Sequence, residues 1–250
     1  MTKPEAIERF HLALLGTMPA HLSAASYVVK GGANLRLFLG SVRRSSDIDL
    51  DFAGDDAWDL PRRMGLALES AALRDALSRW GLRTSAPNLA KSTSTTARWK
   101  LSVEGPGVLA ATKVEFSMRQ GAVGRYRAES VSPAVAAAAG VRPMANHYTP
   151  GAAVAQKVGA LADRRETQAR DIFDLDFLFT RYPNDAATAR ADPAKVDLAR
   201  QRVFELTYAA YRDLVVDYLE PDSVERYEGE GEWGRMVLEV GARLDEMVAR

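Results

Sequence analysis

Two short stretches of this chain set a glycine turn close to paired carboxylates. Lys30-Gly31-Gly32-Ala33-Asn34-Leu35 comes first, and Arg43-Arg44-Ser45-Ser46-Asp47-Ile48-Asp49-Leu50-Asp51 follows a short helix's length later. Residues two apart on a strand project from one face, so Asp47 and Asp49 can grip one hard cation. Mg²⁺ takes a few carboxylates, its own waters and substrate phosphates. A third acid from a neighbouring strand would complete a two-metal site, with cations about 3.5–4 Å apart clamping the nucleophile and the leaving phosphate of an in-line displacement. Glu115, on the polar face of an alternating strand, is the candidate. Gly31 and Gly32, where a strand passes into a helix, let backbone N–H groups approach a phosphate, and the helix dipole favours the anion. Ser45 can bond a terminal phosphate or simply close a turn. Arg43 and Arg44 can neutralise a triphosphate, and one of the two also reads as surface charge.

A second constellation lies downstream. Lys157, Leu161 and Arg164 fall on one face of a helix, and Arg170, Asp171 and Asp174 gather on the next. Lysine and arginine there can reach triphosphate oxygens. Asp171 or Asp174 can orient them or act on an attacking hydroxyl. The same residues also read as a salt-bridge network between two helices.

The elements that must position these groups follow from hydrophobic periodicity. Residues 4–18 read as an amphipathic helix, Tyr27–Lys30 as a short strand and 33–39 as a buried helix. Residues 47–52 alternate, with Asp47, Asp49 and Asp51 on one face and Ile48, Leu50 and Phe52 on the other. Residues 60–80 read as one helix ending at Gly81. Strands at 97–103 and 108–118 flank a Gly105-Pro106-Gly107 hairpin signal. In the second strand Lys113, Glu115 and Ser117 oppose Val114 and Phe116. Residues 92–96 read as a polar loop and 143–150 as a linker. Thr149-Pro150 then looks like an N-cap and first helical position, opening helices at about 151–165, 168–181, 193–219 and 232–249. The last carries the stripe Met236, Val237, Val240, Leu244, Met247 and Val248. The predicted fold is therefore α/β (α+β) and bilobal. A mixed-sheet lobe with flanking helices spans 1–145, and a helical lobe spans 146–250. A cleft between such halves is a common place for a ligand.

Composition bounds the chemistry. The 250 residues contain no cysteine and only His11, His21 and His147. Disulfides, thiolate zinc sites and cysteine nucleophiles are excluded, and the histidines are not spaced as metal ligands. Net charge is zero, with 33 basic and 33 acidic side chains, so bulk charge does not select a polyanion. Locally, Lys91, Arg98, Lys100, Lys113, Arg119, Arg125 and Arg127 stand against Glu104 and Glu115, a candidate footprint for a polyanion or a run of solvated strand faces. No signal peptide or bilayer-spanning run is evident, so the cytoplasm is the expected location and no membrane partner is expected.

Together these residues resemble the AbiEii/AbiGii (MenT-like) nucleotidyltransferase toxins of the DNA polymerase β-type superfamily. The two stretches given first carry the resemblance, with Gln156-Lys157-Val158-Gly159-Ala160-Leu161-Ala162-Asp163-Arg164 and Arg170-Asp171-Ile172-Phe173-Asp174-Leu175. The resemblance implies Mg²⁺- or Mn²⁺-dependent transfer of a nucleoside monophosphate from an NTP, with release of pyrophosphate. It implies the 3′ end of tRNA as acceptor, a block on charging and translation, and an AbiEi-type antitoxin as partner. It places Asp47 and Asp49 on the metal, Gly31 and Ser45 on the triphosphate, Lys157 on the nucleotide, and Asp171 or Asp174 as a downstream catalytic acid. Glu115 completes the metal set, and Gly32, Arg43 and Arg164 join the nucleotide-binding set. Three other readings use fewer of these residues. An aminoglycoside-type adenylyltransferase keeps the glycine turn and Asp-x-Asp. A metal-dependent glycosyltransferase keeps only Asp-x-Asp. A non-catalytic RNA- or partner-binding protein needs neither.

Overall fold

The computed structural model describes residues 1–119 and 125–249, so residues 120–124 of the basic stretch lie outside the described residues. The chain forms two compact units. One comprises Met1–Gly40 and Arg44–Tyr148; the other comprises Ser41–Arg43 and Thr149–Arg250.

The first unit is built on an eight-stranded mixed sheet. Its strands are β1 (Tyr27–Lys30), β2 (Ile48–Phe52), β3 (Arg83–Thr84), β4 (Asn88–Ser92), β5 (Thr96–Gly105), β6 (Val108–Ser117), β7 (Tyr126–Ser130) and β8 (Met144–Tyr148). They run β3-β5-β6-β2-β1-β8-β7 across the sheet, and β4 also pairs with β5. The β2–β6 and β1–β8 pairs are parallel, and the others are antiparallel. Helix α1 (Lys3–Thr17) starts with a reciprocal cap, the Thr2 hydroxyl accepting from the Glu5 N–H and the Glu5 carboxylate from the Thr2 N–H. Its Ile7, Phe10 and Leu14 join Ile48, Leu50, Val114 and Phe116 in one apolar cluster. That burial fixes the register of β2 and β6, because a slip of one residue would put their carboxylates in the core.

Helix α2 (Gly31–Leu37) follows β1 directly. It is tied to β8 by the Asn34 amide, which donates to the Tyr148 carbonyl at 3.0 Å, and by Phe38 stacked on His147 at 4.3 Å. The expected linker at 143–150 is therefore a strand of the sheet, with His147 fully buried. The expected single helix at 60–80 is two helices, α3 (Leu60–Leu68) and α4 (Ala71–Ser78), because Ser70 caps the second by accepting from the Leu73 N–H at 3.1 Å. A short α5 (Pro133–Ala139) completes this unit.

The second unit is helical: α6 (Pro150–Asp163), α7 (Ala169–Arg181), α8 (Pro183–Ala187), α9 (Pro193–Arg202), α10 (Tyr208–Leu214), α11 (Pro221–Tyr227) and α12 (Glu230–Val248). Val158, Leu161, Ile172, Leu175, Val196, Met236, Val240 and Leu244 are among its buried apolar residues on α6, α7, α9 and α12. The expected helix at 193–219 is broken into α9, α10 and intervening 3-10 turns, and α11 occupies the expected connection at 220–231. Val248, assigned to the apolar stripe of α12, is 47% exposed. Ser41–Arg43 belongs to this unit because the Glu220 N–H donates to the Val42 carbonyl at 3.0 Å and Arg43 bridges to Leu219.

Candidate active site

Backbone pairing sets a row of charges across the polar face of the sheet. Lys30 on β1 lies opposite Asp49 on β2, Asp49 opposite Glu115 on β6, Glu115 opposite Arg98 on β5, and Arg98 opposite Lys91 on β4. Asp47 stands one position before β2 on the same face. The structure thus brings Asp49 and Glu115 side by side and sets Asp47 beside the same row.

These carboxylates have different surroundings. Lys113 reaches Asp47 at 3.1 Å, and Arg98 reaches Glu115 at 2.5 Å. Asp49 has no side-chain hydrogen bond or ion pair among the described residues. Burial raises its carboxyl above the ordinary value, opposed by Lys113 and reinforced by Asp47 and Glu115. As the side chains stand, no three acidic or histidine groups among the described residues are gathered to enclose an ion. The donor set nevertheless suits a hard divalent cation. It offers only carboxylate oxygens, with the half-buried Asp49 beside two like charges, a repulsion that a cation relieves. The ion pairs that engage Asp47 and Glu115 are half-exposed, and such pairs exchange at small cost.

Gly31 supports this arrangement from β1. Its φ is +65°, and a Cβ built there would lie 3.1 Å from the Asp49 carboxylate. Glycine is therefore demanded twice, by the backbone and by the space Asp49 fills. Gly32 has no positive φ. The Ser45 hydroxyl donates to the Asp47 carbonyl at 2.8 Å, closing the turn into β2, and Ser46 donates to the Asp47 carboxylate at 3.2 Å. Arg44 approaches Glu8 at 3.5 Å and Glu5 at 3.8 Å on α1. Asp51, on the same face as Asp49, accepts from Lys30 and from the Tyr148 hydroxyl, both at 2.5 Å. Tyr148 escaped the sequence reading because its strand carries no alternating pattern. Lys30, adjoining the glycine turn, had a signal in its position alone.

The second constellation is a closed network inside the helical unit. Lys157 on α6 lies 2.9 Å from Asp171 and 2.6 Å from Asp174, both on α7. Arg164, which caps α6, donates to Asp171 at 2.8 Å. Arg43 donates to both Asp174 oxygens, each at 2.9 Å. Asp171 and Asp174 are fully buried, and Lys157 and Arg43 nearly so. Burial pushes the Asp171 carboxyl up, but Lys157 and Arg164 outweigh it and hold it below its usual range. Lys157, Arg164 and Arg43 thus surround two carboxylates, with Lys157 bridging both acids. The partnership of Arg43 with Asp174 had no sequence signal, because 131 residues separate them.

Comparison with known proteins bears on what such groups do. A family model described as "Nucleotidyl transferase AbiEii toxin, Type IV TA system" matches residues 13–242. No curated protein matches in sequence. Among solved structures, JHP933 from Helicobacter pylori aligns over 99% of this chain and 96% of its own, with a TM-score of 0.58 and 18% identity. A second H. pylori structure, provisionally assigned as a nucleotidyltransferase, aligns over 97% of each chain with a TM-score of 0.55 and 18% identity. At that identity the likeness is one of fold.

Proposed function

The chain belongs to the AbiEii family of type IV toxin–antitoxin nucleotidyltransferases, and from that premise we propose that it transfers a nucleoside monophosphate from an NTP to the 3′ end of tRNA. In that reaction the terminal ribose oxygen of the acceptor bonds to the α-phosphorus. The bond to the β-phosphate breaks, pyrophosphate leaves, and the acceptor can no longer be charged. The observation that carries the reading is the side-by-side placement of Asp49 and Glu115, flanked by Asp47, with Asp49 half-buried and without an ion-pair partner among the described residues.

Asp47, Asp49 and Glu115 would hold Mg²⁺, with Mn²⁺ as a substitute. A divalent cation supplies charge neutralisation at the transferred and leaving phosphates. Gly31 keeps the Asp49 carboxylate in place, and the Gly31-Gly32 turn and Ser45 adjoin the triphosphate. Lys157 is the nucleotide-binding cation of the helical unit, joined by Arg43 and Arg164. Asp171 and Asp174 act through it as positioning residues, since both are fully buried with oxygens occupied by Lys157 and the two arginines. The family's type IV pairing supports an AbiEi-type antitoxin as partner. Among the described residues no helix is long and apolar enough to cross a membrane.

The test is incubation of the purified protein with total tRNA, Mg²⁺ and each labelled NTP in turn, followed by sequencing of tRNA 3′ ends. Label at the 3′ terminus that disappears in Asp47→Ala supports the reading. Translation arrest on expression with no label from any NTP refutes it. Transfer to an aminoglycoside with none to RNA refutes the acceptor.

A further inference from the structure

On the β4–β5–β6 side of Asp47 the polar face of the sheet sinks into an open trough. It is lined by Asp47, Lys113, Lys100, Ser102, Ser85 and Asn88, all within the first unit. We propose that this trough seats the sugar–phosphate backbone of the acceptor RNA strand, just upstream of the ribose that receives the nucleotide. The proposal rests on the nucleotidyl-transfer reading above.

The argument begins with a pairing that folding alone would disfavour. Lys100 on β5 lies directly opposite Lys113 on β6, and like charges directly opposite on neighbouring strands are destabilising. Lys113 is relieved by Asp47 at 3.1 Å. Lys100 has no hydrogen-bond or ion-pair partner among the described residues, and it is exposed. A bound anion beside the pair relieves the repulsion. The next pair along the same face is Ser102 opposite Ala111. Both side chains are small, so the floor beyond the lysines stays low.

The polar lining adds direction. The Ser85 hydroxyl accepts from the Ser102 N–H at 2.9 Å, which fixes its oxygen at the trough wall. Asn88, opposite Lys100 on β4, forms the rim. Lysine, serine and asparagine are side chains that contact phosphate and sugar without reading sequence. Among the described residues no aromatic side chain lines the trough, so they do not offer base stacking, the other common hold on a single strand. The shape agrees, because an open trough suits a passing chain better than a small molecule, which is usually enclosed.

Position separates this surface from the donor. The Gly31 turn flanks Asp49 from β1, whereas the trough leaves Asp47 across β6 and β5. Donor and acceptor phosphates on opposite flanks of the carboxylates are what a displacement at the donor α-phosphorus requires.

The test uses the full-length protein with tRNA and NTP as separate variables. Lys100→Gln should raise KM for tRNA about tenfold and lower the slope of log affinity against log salt by about 1. KM for the NTP should stay unchanged. Ser102→Gln, which fills the floor without altering charge, should raise KM for tRNA alone. Lys3→Gln, an exposed lysine on α1, controls for loss of charge. Wild-type transfer to tRNA with unchanged KM and salt slope in Lys100→Gln overturns the trough and leaves the function standing. An equal rise in KM for the NTP also overturns it, by assigning Lys100 to the donor. Absence of any wild-type transfer to RNA overturns both.

Discussion

Replacing Gly31 with alanine separates the two demands that the fold makes on this residue. At φ +65° an alanine sits in the left-handed region, which costs about 1–2 kcal/mol. Restricting the unfolded chain returns about 0.4–1 kcal/mol, so the net loss is about 1 kcal/mol. For a chain of this size that lowers Tm by roughly 2–4 °C and leaves nearly every molecule folded at 25 °C. The added methyl group would lie 3.1 Å from an Asp49 oxygen, tighter than most contacts a real Cβ makes. The carboxylate must therefore shift by a few tenths of an ångström. A misplacement of about 1 Å at a reacting centre costs on the order of 100-fold, so a shift of a few tenths should lower kcat by roughly 3- to 10-fold. Thermal melts and initial rates with saturating NTP and tRNA measure the two effects on one sample. Gly32→Ala is the stability control, because Gly32 lacks a positive φ; its Tm should hold or rise. A Gly31→Ala enzyme that melts 2–4 °C lower yet keeps half its kcat would refute the coupling between the turn and Asp49.

Other perturbations reach different parts of the chain. Asp49→Asn should abolish transfer while raising stability by about 1 kcal/mol, because it removes a half-buried carboxylate crowded by Asp47 and Glu115; a lower midpoint in urea would contradict that origin. Asp174→Leu should cost about 3–5 kcal/mol by stranding buried cations, whereas Arg43→Met with Asp174→Leu should recover part of it, because Lys157 keeps Asp171 as its remaining partner, as read by denaturant unfolding. Burial lowers His11 from 6.5 to about 4, opposed by Asp47. Below pH 6.5 the unfolded chain therefore takes up a proton that the native state refuses. Stability should be full above about pH 6.5 and fall by about 3 kcal/mol on descent to pH 4, and His11→Gln should flatten that slope.

The parts of this architecture that were legible in the sequence are those where burial is one-sided. Alternation in β2 and β6 placed Asp47, Asp49 and Glu115 on one face, because Ile48, Leu50, Val114 and Phe116 had to face α1. Glycine at position 31 marked the turn through its φ. Where burial is two-sided or absent, the pattern vanished. Residues 144–148 (Met-Ala-Asn-His-Tyr) show no strand periodicity, yet pairing with β1 and β7 and the stacking of His147 on Phe38 make them a strand. Strand β4 is exposed at every position, so no apolar signal announced it. The downstream helices offered Lys157, Asp171 and Asp174 at helical spacing, but not the nearly complete burial that turns them from surface charges into a network. Ser70 and the breaks after Arg202 and Leu214 show that apolar spacing alone overruns helix ends. A single capping hydroxyl is enough to divide α3 from α4.

The membership of Ser41–Arg43 in the helical unit has a consequence for synthesis. Arg43 leaves the ribosome 131 residues before its partner Asp174, a delay of about 7–26 s at ordinary translation rates. The sheet unit has its last strand by Tyr148 and can fold in that interval, but the pocket of charge around Lys157 cannot close. A nascent or prematurely terminated chain therefore displays the carboxylate row without the finished lysine. The strands of the sheet unit are thus all made before the charge network of the helical unit can be completed, so the two units can fold in the order of their synthesis.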